Sequence, residues 1–273
     1  MLFRSGQYTT AIVAVLGGRQ IGLFFTGRKH AGENLGELLK RRAPGLPAPQ
    51  QMCDGLERNL PADFQTLLGN CLAHGRRKFF DLFAYWPQEC RYVLEALAEV
   101  YRTDARAKEL GLSDEQRLRL HQAESGPLME RLKAWMEEQF QARKVEPNSG
   151  LGKAIRYCLK RWGRLTLFLR EAGAPLDNNI AERSLKTAIR HRKNSLFFRT
   201  LRGAAVADLF MTLMYTCQLG GANPFDYLAA LLRHKAQLAA SPADWMPWNY
   251  KETLAGLALA KDRTVEKADG GTG

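Results

Sequence analysis

The chain has 273 residues, of which 45% are hydrophobic, enough for one large globular domain or two smaller ones. Its net charge of +12 and pI of about 9.7 favour a polyanionic partner such as nucleic acid, or less often an anionic membrane surface. No stretch approaches the roughly 18 apolar residues of a membrane span, the N-terminus lacks the features of a signal peptide, and five scattered cysteines argue for reduced thiols rather than a disulfide framework.

The N-terminal part of the chain is predicted to be rich in strands. Two β-branched or aromatic runs flank Gly17-Gly18, which predicts a hairpin with a type I′ or II′ turn. "ENLGELLKRR" predicts a short amphipathic helix, and "QQMCDG" predicts a short buried strand that ends at Asp54. "FQTLLGNCLAH" fits either another strand or the start of a helix. This order of elements predicts a mixed sheet flanked by helices.

The rest of the chain is predicted to be mainly helical. From about residue 85 to 172, Glu, Leu, Ala, Arg and Lys dominate, and three helical stretches are predicted, with a capping start at Ser113 to Gln116. "GAAVADLFMTLMYTCQLGG" predicts a helix with Leu209 and Phe210 among its periodic apolar residues. Asn223-Pro224 predicts the start of the next helix. "SPADWMPWNY" is expected to pack back on the body, and the polar end is expected to be disordered.

Glu182 lies in the stretch "APLDNNIAERSLK" and has three possible roles. Asn179 and Glu182 are three residues apart, which fits a capping box, and a surface charge is also possible. Leu185 and Ile189 are the apolar residues that this helix is expected to turn inward, so Glu182 would lie near the core stripe. A carboxylate there needs a cap, a cation or a metal ion to offset desolvation.

Basic residues surround Glu182. Arg183, Lys186 and Arg190 share a neighbouring helix face, and residues 176–203 contain seven Lys or Arg against two Asp or Glu. A carboxylate beside such a stripe suits a metal-dependent enzyme that acts on a phosphodiester, although a solvated charged face explains the stripe equally well. Asp54 is the best candidate for a second carboxylate, because it follows a strand, but an Asp-Gly turn also explains it. The lone Cys71-x-x-His74 gives little support to a zinc site.

Four segments together resemble the transposases of the insertion sequence 66 family. They are "TGRKHAGENL", "NCLAHGRRKFFDL", "GAPLDNNIAERSLKTAIRHRKNSLFF" and "GGANPFDYLAALL". The resemblance runs from about Phe3 to Tyr250. The Asp-Asn-Asn-x-x-Glu-Arg segment followed by Arg-Lys-Asn is specific when Cys-x-Ala-His-x-Arg-Arg stands upstream.

The resemblance implies a ribonuclease-H-like core, in which an Asp, Asp, Glu triad binds two Mg²⁺ ions, with Mn²⁺ as a possible substitute. It also implies a long helical insertion before the glutamate. By position, Asp54 matches the second aspartate and Glu182 the triad glutamate, so these two are the expected catalytic and metal-binding residues. The expected motif residues around them are Asn178, Asn179 and His74. The expected DNA-binding residues are Arg76, Arg77, Arg183, Lys186, Arg190, Arg192 and Lys193.

The resemblance also implies the organisation of the chain as a mixed α/β protein. The expected regions are the first part of the core at 1–84, the helical insertion at 85–173, a core helix with the glutamate at 174–203, a helical C-terminal segment at 204–260, and a disordered tail at 261–273. The implied partners are DNA at the element ends and target, other copies of the chain in a transposition complex, and accessory proteins encoded by the element. The implied location is the bacterial cytoplasm, at the nucleoid, and no membrane partner is implied.

One departure from the family pattern affects the expected activity. The first triad aspartate is expected on a core strand before the hairpin, but no aspartate precedes Asp54. The chain is therefore expected to be a C-terminal fragment that lacks the first core strand and is inactive or weakly active. The alternative is a non-catalytic DNA-binding or assembly module, supported by the net charge of +12.

Overall fold

The computed structural model describes residues 8–194, 198 and 200–269, and the side chains of 191, 192, 194 and 261–269 lie outside that description. The protein is a mixed α/β chain with far more helix than strand. Its strands are β1 (Tyr8–Leu16), β2 (Arg19–Gly27), β3 (Gln50–Cys53) and β4 (Leu67–Asn70). None of the described helices is long and apolar enough to cross a membrane.

The helices follow the strands in two groups. The first group is α1 (Ala31–Leu39), α2 (Leu72–Phe80), α3 (Pro87–Glu109), α4 (Asp114–Leu120), α5 (Gly126–Gln141), α6 (Gly150–Lys160) and α7 (Trp162–Leu165). The second group is α8 (Asn179–Asn194), α9 (Leu201–Leu219), α10 (Pro224–Arg233), α11 (Lys235–Ala240) and α12 (Tyr250–Asp269). A π-helical turn, His121–Ser125, joins α4 to α5.

The chain divides into two compact units. One unit is Ala31–Asn179. The other unit consists of the residues up to His30 together with those from Ile180 onward. The sequence predicted a single mixed sheet, whereas the described strands form two separate two-stranded sheets, one in each unit. The expected boundary between residues 84 and 85 does not separate the two units, because the helices after it share a core with α2.

The unit Ala31–Asn179 combines the parallel pair β3–β4 with helices α1 to α7. A hydrophobic core runs through α2, α3, α5 and α6, and includes Phe79, Val93, Met136 and Ile155. Ser113 caps α4 with Gln116 in the predicted capping box. The last part of the unit returns to α2, where the Leu72 N–H donates to the Leu176 carbonyl over 2.9 Å. This bond fixes the start of α2 against the segment that leads to α8.

The other unit contains the hairpin β1–β2 and helices α8 to α12. Gly17 and Gly18 both have positive φ, as the predicted primed turn requires. Asn223 caps α10 as predicted, since its Oδ1 accepts from the N–H groups of Phe225 and Asp226. Trp245 is buried in a small aromatic core, and its carbonyl accepts from the Tyr227 hydroxyl over 2.7 Å, so the aromatic segment does pack back.

The end of the chain differs from the expected disordered tail. Helix α12 continues to Asp269, nine residues into the region that was expected to be disordered, and 270–273 lie outside the described residues. The sequence "AKDRTVEKA" contains Ala, Lys, Arg and Glu, which have high helix propensity, so a polar composition is compatible with a helix.

Candidate metal centre and nucleic-acid interface

Asp54 follows the last residue of β3, at the carboxyl end of the parallel pair. Its Oδ1 accepts from the Leu56 N–H over 3.1 Å and from the Asn59 Nδ2 over 2.6 Å. Gly55 makes the turn possible, because its φ of 85° lies in the left-handed region. Both hydrogen bonds use one carboxylate oxygen, and Oδ2 accepts none from the described residues. The carboxylate is therefore held in one orientation with an oxygen left for a further ligand.

Asn70 lies at the corresponding end of β4, where it is the register partner of Cys53. Its side chain is fully buried, and its Oδ1 has no hydrogen-bond partner among the described residues. A Cβ on Gly55 would lie 3.4 Å from the amide carbon of Asn70, so this amide borders the Asp54 turn. The sequence analysis did not select Asn70. The available signal was a polar residue directly after "LLG", in a stretch that fitted either a strand or the start of a helix.

The segment before α8 is anchored by Asp177 rather than by the capping box of Asn179 and Glu182, which was one of the alternatives that the sequence left open. Asp177 Oδ1 accepts from the Asn179 N–H over 3.1 Å, and its Oδ2 accepts from the Asn179 side chain and from the Tyr101 hydroxyl. Asn179 is already the first helical residue. A carboxylate two residues upstream reaches this N–H easily, so Asp177 provides the local turn that the sequence assigned to Asn179. The Oδ1 of Asn178 is buried and lacks a partner among the described residues.

Glu182 lies in the first turn of α8 and is half-buried. The predicted inward face was partly wrong, because Ile189 is 41% exposed, whereas Ser184 and Ala188 are buried. The small Ala188 packs with Phe24 and Met211, and Ser184 donates to the Ala181 carbonyl. Small side chains allow close packing of α8, so the buried stripe is displaced by one position from the larger apolar residues.

The basic residues of α8 form an exposed face, as predicted. Arg183, Lys186, Arg190 and Lys193 are all exposed, and none of them forms an ion pair with a described residue. Arg192 lies on the same helix, but its side chain is outside the described residues. An unpaired row of cations on one helix is suited to a polyanion.

The predicted residues of α2 lie in the other unit, with Asp54. Arg76 and Arg77 are exposed, and the Arg76 guanidinium lies 6.0 Å from the centre of the Phe80 ring. His74 is half-buried on the same helix. The structure thus groups Glu182 with the basic residues of α8 in one unit, and Asp54 with Asn70, α2 and Asn178 in the other.

The five cysteines are free and buried, as expected for reduced thiols. Burial raises the pKa of the Cys158 thiol to about 12 and that of Cys217 to about 11. Burial also raises the pKa of Cys53, the last residue of β3, and of Cys71, which follows β4. These thiols are therefore protonated near neutral pH, which makes them inert packing groups rather than nucleophiles.

A mixed α/β protein with a strand-end carboxylate and an unpaired basic helix face has features suited to a nucleic-acid partner. The sequence model described as "Transposase IS66 family" matches residues 15–206. The chain therefore belongs to the IS66 family of transposases.

Three relatives from Sinorhizobium fredii (strain NBRC 101917 / NGR234) are similar to the chain, and all three are described as uncharacterized proteins. Protein y4jD is 33% identical over 195 residues, which are 70% of this chain and 37% of the relative. Protein y4qI is 33% identical over 192 residues, with 69% and 35% coverage. Protein y4hP is 31% identical over 207 residues, with 69% and 36% coverage. The matched segment thus spans little more than a third of each relative's length. No solved structure matches the chain.

Proposed function

We propose that this chain is the catalytic-core portion of a DNA transposase with a ribonuclease-H-like fold, in which Asp54 and Glu182 bind divalent metal ions. Membership of the IS66 transposase family is the observation that carries the proposal. The position of Asp54 supports it, because ligands commonly collect at the carboxyl ends of strands in α/β proteins. The antiparallel hairpin followed by a parallel strand pair is compatible with the proposed fold.

The donor atoms at the end of β3 fit a hard cation. Asp54 keeps one carboxylate oxygen without a hydrogen bond from the described residues, and the Oδ1 of Asn70 is buried without a partner. Carboxylate and amide oxygens are the ligand types that Mg²⁺ and Mn²⁺ accept. Two such ions, when bound, would supply a metal-activated hydroxyl and stabilise the leaving oxygen of a phosphodiester.

The protein's own groups have distinct proposed roles. The hydrogen bonds from Leu56 and Asn59 fix the orientation of the Asp54 carboxylate before substrate binds. Glu182 provides the second carboxylate from the first turn of α8, where the positive end of the helix dipole stabilises its charge. The exposed cations of α8 bind the DNA backbone. Other copies of the chain and accessory element proteins belong to the proposed transposition complex.

The chain as it stands is expected to cleave DNA weakly or not at all. No aspartate precedes Asp54, so the chain supplies two of the three carboxylates of the proposed triad. The purified chain would be incubated with Mg²⁺ or Mn²⁺ and a supercoiled plasmid, and nicking would be measured on a gel. Robust metal-dependent nicking that Glu182→Gln abolishes would contradict this expectation, while supporting the catalytic role of Glu182.

DNA binding is expected whether or not the chain is catalytic. The logarithm of the binding constant for a mixed-sequence duplex should fall with the logarithm of salt concentration, with a slope of about −0.9 for each phosphate contacted. Replacing Arg183, Lys186 and Arg190 with glutamine together should make that slope shallower by about 2.7, or three contacts. Fluorescence anisotropy of a labelled duplex at several salt concentrations measures the slope.

The matched control replaces Arg233, Lys235 and Lys251 with glutamine. These residues are exposed cations of the same unit, so the variant has the same net charge as the α8 variant. If the salt slope changes equally in both variants, DNA binding depends on overall charge, and α8 is not a specific part of the interface.

The second candidate function is a non-catalytic DNA-binding or assembly module. The unpaired basic face of α8 and the net charge of +12 favour it. The test uses a chain extended at its N-terminus by a segment that carries an additional aspartate. If this chain binds DNA in a salt-dependent manner but does not nick DNA in the presence of metal ions, the non-catalytic function is favoured.

A further inference from the structure

Tyr157 on α6 connects the helical stretch to the Asp54 turn. Its hydroxyl donates to the Asp54 carbonyl over 3.4 Å, and its ring is half-buried. Two cations contact the same ring: the Lys78 Nζ and the Arg161 guanidinium carbon each lie 4.4 Å from the ring centre. Tyr157 therefore contacts one cation from α2 and one from the end of α6, close to the backbone of Asp54.

Arg161 also reaches the turn itself. A Cβ on Gly55 would lie 3.2 Å from the Arg161 Nε, so the guanidinium borders the residue next to Asp54. Positive charge is thus concentrated around residues 53–55.

Neither Lys78 nor Arg161 forms an ion pair with a described residue. Cations elsewhere in the same unit do, since Arg102 pairs with Glu99, Arg106 with Glu124, and Lys108 with Asp104. Two cations held on one ring repel each other, and an external anion between them would relieve that repulsion. The aromatic ring stabilises and orients both cations without neutralising them.

We propose that Lys78, Tyr157 and Arg161 form a binding site for the phosphodiester backbone of DNA next to Asp54. The inference rests on the proposed function, and it adds that helix α6 contributes to DNA binding. Lys78 provides a mobile ammonium group, and Arg161 provides a planar guanidinium that donates two hydrogen bonds to one phosphate. Tyr157 is a positioning residue, which holds the two cations beside the carboxylate that is proposed to bind metal.

The test compares Lys78→Gln, Arg161→Gln and the double variant with the unmodified chain. Each lost phosphate contact should make the salt slope of duplex binding shallower by about 0.9, so the loss of affinity between 50 and 200 mM salt shrinks about three-fold per contact. Arg131→Gln is the matched control, because Arg131 is an exposed cation of the same unit and lies on α5 rather than on α6. Arg161→Lys should retain the slope, since it keeps the charge.

Amide hydrogen exchange provides a second readout, which does not depend on the variants. DNA should slow exchange in residues 54–56 and 157–161 of the unmodified chain. If the chain binds DNA with a steep salt slope, but the Lys78 and Arg161 variants behave like Arg131→Gln, this site is wrong while the proposed function stands. If the unmodified chain does not bind DNA even at low salt, both proposals fail.

Discussion

Replacing Asp104 with alanine is expected to lower the free energy of unfolding of the unit Ala31–Asn179 by about 3–5 kcal/mol. Asp104 on α3 is almost completely buried and accepts from Arg117 of α4 over 2.7 Å. It also contacts the buried His121 over 3.3 Å and pairs with Lys108. Removing the carboxylate leaves the Arg117 guanidinium, which is only 13% exposed, without its counter-ion.

The location of this network explains the size of the expected effect. His121 begins the π-helical turn between α4 and α5, and its Nδ1 lies 2.9 Å from the Ser125 Oγ at the end of the same turn. Arg117 also donates to the Ala174 carbonyl, in the segment that leads to α8. Asp104 thus links three helical elements and the chain before α8 through buried polar groups, whose loss is costly in a low-dielectric interior.

The measurement is native-state hydrogen exchange of α3 and α4, combined with urea unfolding. Glu109→Ala is the control, because Glu109 is an exposed acidic residue on the same helix, and its replacement should change stability by no more than about 0.5 kcal/mol. A loss below about 1 kcal/mol for Asp104→Ala would show that the network is not stabilising.

The same carboxylate predicts a defined pH dependence of stability. Burial alone would raise the pKa of Asp104, but hydrogen bonds from His121 and Lys108 and the charge of Arg117 hold it well below its ordinary value. A depressed pKa in the folded state stabilises the protein above the unfolded pKa, and that contribution is lost as the pH falls. The difference in stability between the unmodified chain and Asp104→Asn should therefore shrink by about 1 kcal/mol from pH 7 to pH 3.

Local sequence signals predicted the elements with strong chemical signatures. Gly17-Gly18 predicted the hairpin, and Asn223-Pro224 predicted the start of α10, since both depend on the backbone preferences of single residues. The parallel pair was only partly predicted, because strands of four residues are too short to show periodicity. Asn70 was missed for a related reason: its burial depends on the pairing of β4 with β3, which is remote in sequence.

Helix α9 shows why the buried face of a helix is not always its apolar face. The sequence pattern placed Leu209 and Phe210 among the periodic apolar residues of this helix. Their side chains are 57% and 47% exposed, whereas Asp208 is buried. The helix lies along the edge of β2, where backbone N–H groups need acceptors. Polar side chains can accept hydrogen bonds from these N–H groups and apolar side chains cannot. The polar face of α9 therefore faces β2, although the hydrophobic pattern predicts the opposite.

Three side chains of α9 substitute for a neighbouring strand along β2. The N–H of Gly22 donates to the Thr216 hydroxyl, and the N–H of Phe24 donates to the Thr212 hydroxyl. The N–H of Thr26 donates to the Asp208 carboxylate. Four helical residues rise about 6 Å, and two strand residues rise about 6.8 Å, so the helix and strand repeats nearly match over the two steps that separate these three hydrogen bonds. Gly22 permits the close approach, because a Cβ there would lie 2.4 Å from the Tyr215 ring.

Replacing Asp208 with alanine is expected to destabilise the hairpin and α9 by about 2–3 kcal/mol. Its two oxygens accept from the Thr26 N–H over 2.5 Å and from the Thr26 hydroxyl over 2.8 Å, so the substitution leaves a charge-assisted pair of donors unsatisfied. Hydrogen exchange at Thr26 should accelerate together with that of α9. Leu209→Ala, a substitution at the adjacent exposed position, should leave both unchanged.

Loss of the α9 acceptors along β2 makes a second outcome measurable. A strand edge without acceptors pairs readily with other chains, so Asp208→Ala should also aggregate more than Leu209→Ala in light scattering at equal concentration. Asp208→Asn retains one acceptor oxygen and should show an intermediate effect on both readouts. Unchanged exchange at Thr26 in Asp208→Ala would mean that the carboxylate does not protect this edge. The hydrogen bonds to Thr212 and Thr216, with the packing of Phe24 and Met211, would then hold α9 on the hairpin.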